Sequence, residues 1–387
     1  MDERTQMADR MTEIRRSLLE APADGLVERL AAEAQRVYGC SALRLFQVDY
    51  RLAALLPLDG GAARTRPGDP AWRCFDHQHL VDSDGVTYLP VTVRGERIGV
   101  LAVTGVDPAR VTGAELLEVA TMLAHELAAV RAGTDRYALA ARSRRLTLAA
   151  EMQWELLPGR SRERASFGLA GQLEPAYAVR GDTFDWSDDG HRVWLSVING
   201  MGDNVAAASL TALATYALRN ARRAGLSLAD QAALADQAIY SYHQGAQYLG
   251  TLLLELDLTA GTVTAIDAGS PQLLRLAGDE VVLEELEEQF PLGMFEGSIY
   301  RPQRFQLEPG ERLYVVSDGV FDAAAEAGRY GAGALDRFVR RSGSLAPLQA
   351  VRSLLADLRA FVESDLVDDA VVVCLEWHGA RPDAAGR

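Results

Sequence analysis

The pattern of apolar residues changes along this chain, and the change divides it. Met7, Met11, Ile14 and Leu18 are spaced by 4, 3 and 4, one stripe of a helix, so residues 1–23 read as an amphipathic N-terminal helix with a coiled-coil-like seam. A second helix is expected from Gly25 to Tyr38, with Leu26, Leu30, Ala34 and Val37 inward, and then a strand at 43–48. Residues 57–87 contain Gly60-Gly61, Pro67-Gly68 and Pro70 and read mostly as loop. The β-branched runs 88–93 and 98–103, joined by Arg94-Gly95-Glu96-Arg97, predict a β-hairpin. Thr112-x-x-Glu115 is a capping box, in which hydroxyl and carboxylate each satisfy a free backbone donor. Leu116, Val119, Leu123, Leu127 and Val130 follow on one face, and after Gly133-Thr134-Asp135 the stripe resumes at Leu139, Leu146, Ala149, Met152 and Leu156. Pro158 stops it. Residues 112–157 therefore read as a long jointed connector, whose stripe either packs on its own domain or forms a dimer seam.

Beyond Pro158 the pattern changes to short strand-like runs. Runs at 193–198, 251–257, 262–268, 312–316 and 370–374 are separated by aspartate and glycine turns, with helices expected at 205–224 and, after the N-cap Ser227, at 227–242. Strands with grouped helices indicate α+β layers rather than strict βαβ alternation. A length of 387 residues fits two domains, each with its own core.

Composition narrows the chemistry. All 39 basic residues are arginine, against 54 acidic ones, for a net charge of −15. Nucleic-acid and membrane-surface roles are disfavoured, and the absence of lysine excludes a Walker A loop, a kinase-type lysine and Schiff-base chemistry. Cys40, Cys74 and Cys374 form no CxxC pair, and no apolar stretch of signal or membrane-spanning length is present, so a reducing cytoplasm is the expected setting. His125 reads as a solvent-facing helix histidine. Cys74 with His77 and His79 lacks a fourth zinc ligand at the usual spacing, and Trp72, Trp186 and Trp377 read as core or interface aromatics.

Acidic or amide clusters stand at strand ends: Gly181-Asp182-Thr183-Phe184-Asp185, Asn199-Gly200-Met201-Gly202-Asp203-Asn204, Ser317-Asp318-Gly319 and Asp368-Asp369. Taken singly, such aspartates are turn residues. Converging above a sheet without histidine or cysteine, they make a hard-oxygen site suited to Mg²⁺ or Mn²⁺, and two such ions can activate a water for attack on a phosphoryl group.

These clusters, in order with Gln153-x-x-Leu156-Leu157-Pro158, Asp267-Ala268-Gly269-Ser270-Pro271 and Pro291-Leu292-Gly293, resemble the bacterial PPM-type protein phosphatases of the SpoIIE-like branch over roughly residues 150–378. The resemblance implies an αββα sandwich with two metal ions that dephosphorylates phosphoserine or phosphothreonine, commonly on anti-sigma-factor antagonists. By the same resemblance Asp182, Asp318 and Asp368 match metal ligands, Asn199 stands where the family has a bridging aspartate, and Gly200 would lend its carbonyl. Residues 24–130 look more loosely like a GAF sensor. The expected organisation is an N-terminal helix at 1–23, a GAF-like domain at 24–111, the connector at 112–157, the phosphatase domain at 158–378 and a disordered tail at 379–387. A homodimer through Met7–Leu18 and the connector is a further expectation.

The chain also departs from the family pattern, at Asn199, Asp203, Ser270 and Val371. An amide is neutral and offers one carbonyl oxygen, so it holds a pair of dications less well than a carboxylate. Three outcomes stay open: Asp203 substitutes for the missing charge, the domain retains conditional phosphatase activity, or it survives as a pseudophosphatase that binds a partner protein.

Overall fold

A computed structural model describes residues 3–380, apart from 67, 144, 176–178, 327 and 363–365. It divides into two compact units, Met1–Arg145 and Leu146–Arg387.

In the first unit a five-stranded antiparallel sheet runs in the order Leu55–Pro57, Ala42–Val48, Glu96–Thr104, Val86–Val93, Val81–Ser83. The predicted hairpin is present. Its turn residues Arg94 and Gly95 have φ of 50° and 90°, the left-handed pair that matches the twist of two-residue hairpins. Helices Glu3–Leu19, Leu26–Tyr38 and Gly113–Val130 share one core with the sheet, in which Ile14, Leu18, Leu30, Leu116, Val119 and Leu123 meet Leu45, Leu89 and Leu101. Arg10 adds an ion pair of 2.8 Å to the fully buried Glu115.

Three expectations change here. The Met7–Leu18 stripe covers its own unit, because Ile14 and Leu18 are buried in that core. The stretch 112–157 is three helices, Gly113–Val130, Arg136–Ala140 and Leu148–Leu156, of which the first two lie in the first unit and the last in the second. Thr112 and Thr147 each accept a backbone N–H at a helix start, so the last helix has its own cap and does not continue the first. The region 57–87 holds a helix, Pro70–His77, started by Asp69 accepting the Ala71 N–H with proline at the first turn. Cys74 is buried on that helix while His77 and His79 are exposed, and burial pushes the Cys74 thiol up to about 12, away from the thiolate that zinc requires. His125 is exposed, as expected.

The second unit is an αββα sandwich. One antiparallel sheet runs Gln303–Gln306, Thr262–Ala268, Gly250–Asp257, Arg192–Asn199, Thr183–Asp188; the other runs Glu280–Leu283, Gln272–Ala277, Arg312–Val316, Ala370–Trp377, Phe167–Glu174, Ser161–Glu163. Alternate residues build two cores. Val193, Leu195, Val197, Leu252 and Leu254 face the second sheet's Leu169, Leu313, Val371 and Val373, whereas Ile198 and Leu253 face outward onto helices Asn204–Arg223 and Leu228–His243 through Leu210, Ala214, Leu218 and Ile239. Helix Pro347–Val362 covers the outer face of the other sheet. Strands apolar on both faces are the reason the sequence shows continuous apolar runs here instead of alternation. Buried arginine pairs tie the layers: Arg219 and Arg222 hold Asp185 at 2.8 and 3.1 Å, and Arg359 holds Glu174 at 2.8 Å.

Among the described residues no helix is long and apolar enough to cross a membrane. Of the tail expected at 379–387, residues 381–387 lie outside the described residues.

Candidate functional site

Antiparallel pairing brings the end of one strand beside the start of its neighbour, and this assembles the site from four sequence-distant clusters. Asp182 precedes strand Thr183–Asp188 and Asn199 ends strand Arg192–Asn199, with Thr183 opposite Ile198. In the other sheet Asp318 follows strand Arg312–Val316 and Asp368 precedes strand Ala370–Trp377, with Val316 opposite Val372. Each sheet thus contributes a pair. Two glycines are imposed by how closely the backbones approach: a side chain at 200 would collide with the Arg180 carbonyl, and one at 319 with the Asp369 carbonyl.

The pairs interact. Asp182 is 1% exposed; its Oδ1 accepts the Gly200 N–H at 2.8 Å, and its Oδ2 is buried without a hydrogen-bond partner. Burial, then the charges of Asp369 and Asp318, hold its carboxyl well above the usual range. Asp368 is pushed up to about 6 by burial first and the Asp318 charge second. Asp318 is raised mainly by burial, opposed by the Gly319 N–H at 2.9 Å and a hydrogen bond from Asn199. Asn199 is buried; its Nδ2 donates to Ser270 Oγ, and its Oδ1 has no partner. Ser270 takes φ of 81°, a left-handed conformation that costs a non-glycine residue of the order of 1 kcal/mol or more.

Asp369, beside the predicted ligand, has a different job. It is fully buried, and its Oδ2 accepts from Gln153 Nε2 at 2.8 Å and from the Arg180 and Gly181 N–H groups at 2.9 Å each. It fixes the segment that delivers Asp182. Asp185 likewise pins helix Asn204–Arg223 through its two arginines and takes no part in the site. Asp203 lies outward, 62% exposed and 3.3 Å from Arg180. Neither the bracing role of Asp369 nor the strained Ser270 was legible beforehand; the adjacency of Asp368-Asp369 and the Gln153 motif were the available signals.

The donor set bears on whether a cation fits. Carboxylates that raise one another, together with two buried oxygens lacking partners, form a site short of positive charge. Among the described residues no three His, Cys, Asp or Glu side chains close on one point tightly enough to hold an ion by themselves. The arrangement suits a hard cation that keeps several waters, as Mg²⁺ does, with Asp182, Asp318 and Asp368 as anionic oxygens and Asn199 Oδ1 and the Gly200 carbonyl as neutral ones.

A sequence model of the SpoIIE family, described as stage II sporulation protein E, matches residues 189–378. Residues 189–378 form a SpoIIE-family domain. The PP2C phosphatase domain with a fragment of the regulatory domain of SpoIIE from Bacillus subtilis is similar to this chain at a TM-score of 0.50 and 16% identity, covering 57% of this chain and 66% of the other. That likeness establishes the PP2C fold for the SpoIIE-family unit. The RsbU and RsbW domains of Rv1364c from Mycobacterium tuberculosis give 0.49 and 21%, covering 58% and 63%, and the PP2C domain of SiaA from Pseudomonas aeruginosa gives 0.49 and 20%, covering 54% and 85%. The chain therefore spans less than two thirds of the first two structures. No curated protein sequence matches it.

Proposed function

We propose that residues 158–378 are a PPM-type protein serine/threonine phosphatase domain with impaired catalysis, acting on or binding a phosphoserine- or phosphothreonine-bearing regulator of the anti-sigma-factor-antagonist class. Asn199 carries this reading. It puts a buried neutral amide where the family resemblance calls for a carboxylate bridging two ions. Bound Mg²⁺ or Mn²⁺ would supply Lewis acidity and a water activated for phosphoryl attack. The chain's own part is to present the oxygens: Gly200 N–H orients Asp182, Asp369 and Gln153 brace the segment before it, and Asp318 and Asp368 face it from the other sheet. Three carboxylates leave a pair of dications short of neutrality, so the second ion should bind weakly.

A second reading, a pseudophosphatase that sequesters its partner, is favoured by the same buried amide, whose Nδ2 donates to Ser270 Oγ and which offers a cation one neutral carbonyl oxygen in place of a carboxylate. Calorimetric titration of the full chain with Mn²⁺, alongside p-nitrophenyl phosphate hydrolysis, tests both. One weak site with slow turnover fits impaired catalysis, and no binding with no turnover fits the pseudophosphatase. Two tight sites with rapid turnover would reject both. The first unit, an antiparallel sheet with helices packed on it, is read as a GAF-like sensor; a homodimer would have to use surfaces other than the buried Ile14 and Leu18.

A further inference from the structure

We propose that a basic cleft at the far end of the SpoIIE-family unit binds a small phosphate-bearing anion of nucleotide size, at a place separate from the candidate metal site. The cleft has a volume of about 590 Å³, within the usual range for small-molecule sites. Four arginines line it, Arg192, Arg222, Arg223 and Arg304, against two acids, Asp189 and Glu255.

Position separates it from the site above. Arg192 opens the strand that ends at Asn199, and Arg222 and Arg223 close helix Asn204–Arg223, which begins beside the candidate centre. Eight residues of strand span roughly 24 Å and twenty of helix roughly 29 Å, so the cleft lies at the opposite end of the sandwich.

The charges in the cleft are unevenly satisfied. Arg192 is paired with Glu255 at 3.1 Å, and the other Glu255 oxygen accepts Trp194 Nε1 at 2.9 Å. Arg222 is held by the buried Asp185 at 3.1 Å. Asp189 Oδ1 accepts the His191 and Arg192 N–H groups at 2.8 Å each. Arg223 and Arg304 are exposed and have no carboxylate partner among the described residues. In a chain of 54 acids and 39 arginines, two unneutralised guanidiniums on one cavity run against the composition. An added anion would relieve their repulsion, and phosphate oxygens match the guanidinium fork.

The helix end nearby is already served. Ser227 and Asp230 cap Leu228–His243 by a hydroxyl-to-carboxylate bond of 2.6 Å and an N–H bond of 3.3 Å, so the arginines rather than the helix dipole carry the site. Trp194, Leu226 and Pro302 give the cleft an apolar wall against which a flat ring can lie.

The probe is ADP, with adenosine as the uncharged control, titrated calorimetrically into the full chain in metal-free, low-salt buffer, where a divalent-dependent phosphate site is silent. ADP should bind, adenosine should not, and the Arg223→Gln/Arg304→Gln double variant should bind at least about tenfold more weakly. Both positions are exposed and unpaired, so the double variant keeps its fold, which its unchanged melting curve will show. Asp318→Asn should leave ADP affinity where it was. The proposal is overturned by no binding at about 1 mM ADP, by equal binding of adenosine, by undiminished binding in the double variant, or by loss of binding in Asp318→Asn.

Discussion

Removing the Asp369 carboxylate should loosen the frame of the candidate site while leaving every proposed ligand in the sequence. Asp369→Ala strips the acceptor from three donors, Gln153 Nε2 and the Arg180 and Gly181 N–H groups. Hydrogen bonds to a charged group contribute about 1.5–3 kcal/mol each, and a naive sum would be large. Two effects reduce it: the variant no longer desolvates a fully buried charge, and it relieves the repulsion between Asp369 and Asp182. A net loss of about 3–5 kcal/mol is expected, comparable to breaking other buried charged pairs, and equivalent to roughly 10 °C in melting temperature for a unit of this size. Asp369→Asn keeps one oxygen facing the same donors and should cost about 1–2 kcal/mol. Tryptophan fluorescence in a urea titration is a suitable assay, since Trp154, Trp186, Trp194 and Trp377 lie in the second unit and only Trp72 in the first. A loss below about 1 kcal/mol for Asp369→Ala would refute the bracing role.

Other expectations follow from the same geometry. Asp185→Ala leaves the guanidiniums of Arg219 and Arg222 unpaired in a largely buried setting and should destabilise the second unit by about 3 kcal/mol or more in the same titration. Asp236→Ala removes the acceptor of the Gly293 N–H at 2.8 Å and of the Tyr300 hydroxyl at 3.0 Å; it should cost about 2–3 kcal/mol by melting. All three cysteines are buried, and burial pushes Cys74 and Cys374 up to about 12. A thiol titrates to its reactive thiolate only as pH approaches its pKa, so native protein near pH 8 should resist an aromatic disulfide reagent and react on unfolding. Rapid labelling of the native chain would contradict the burial.

Much of the architecture could be read from periodicity. The hairpin around Arg94-Gly95, the helix after Ser227 and the paired strands around residues 259–261 are set by local turn and cap chemistry, which a sequence displays directly. Periodicity leaves the stripe at residues 116–130 open, because it is the same whether a helix spans domains or covers a sheet; Leu89 and Leu101, distant in sequence, decide for the sheet. Strand Phe167–Glu174 is not marked in the sequence, since Gly168, Ala170 and Gly171 carry no β-branched signal and its polar residues Gln172 and Glu174 are themselves buried, Glu174 against Arg359. At the site, ligand types were legible and roles were not. Asp182 and Asp185 lie three residues apart in one motif, yet one faces the candidate centre and the other is locked by two arginines, which only the position of helix Asn204–Arg223 determines.

The central claim, that Asn199 is what weakens the centre, is tested most directly by Asn199→Asp. A fourth carboxylate beside Asp182, Asp318 and Asp368 should destabilise the metal-free chain, because those groups already raise one another. Mn²⁺ should reverse that. Melting curves with and without Mn²⁺ should show a larger metal-dependent rise for the variant than for the parent, together with faster hydrolysis of p-nitrophenyl phosphate. Equal Mn²⁺ responses and equal turnover in the two chains would contradict the account.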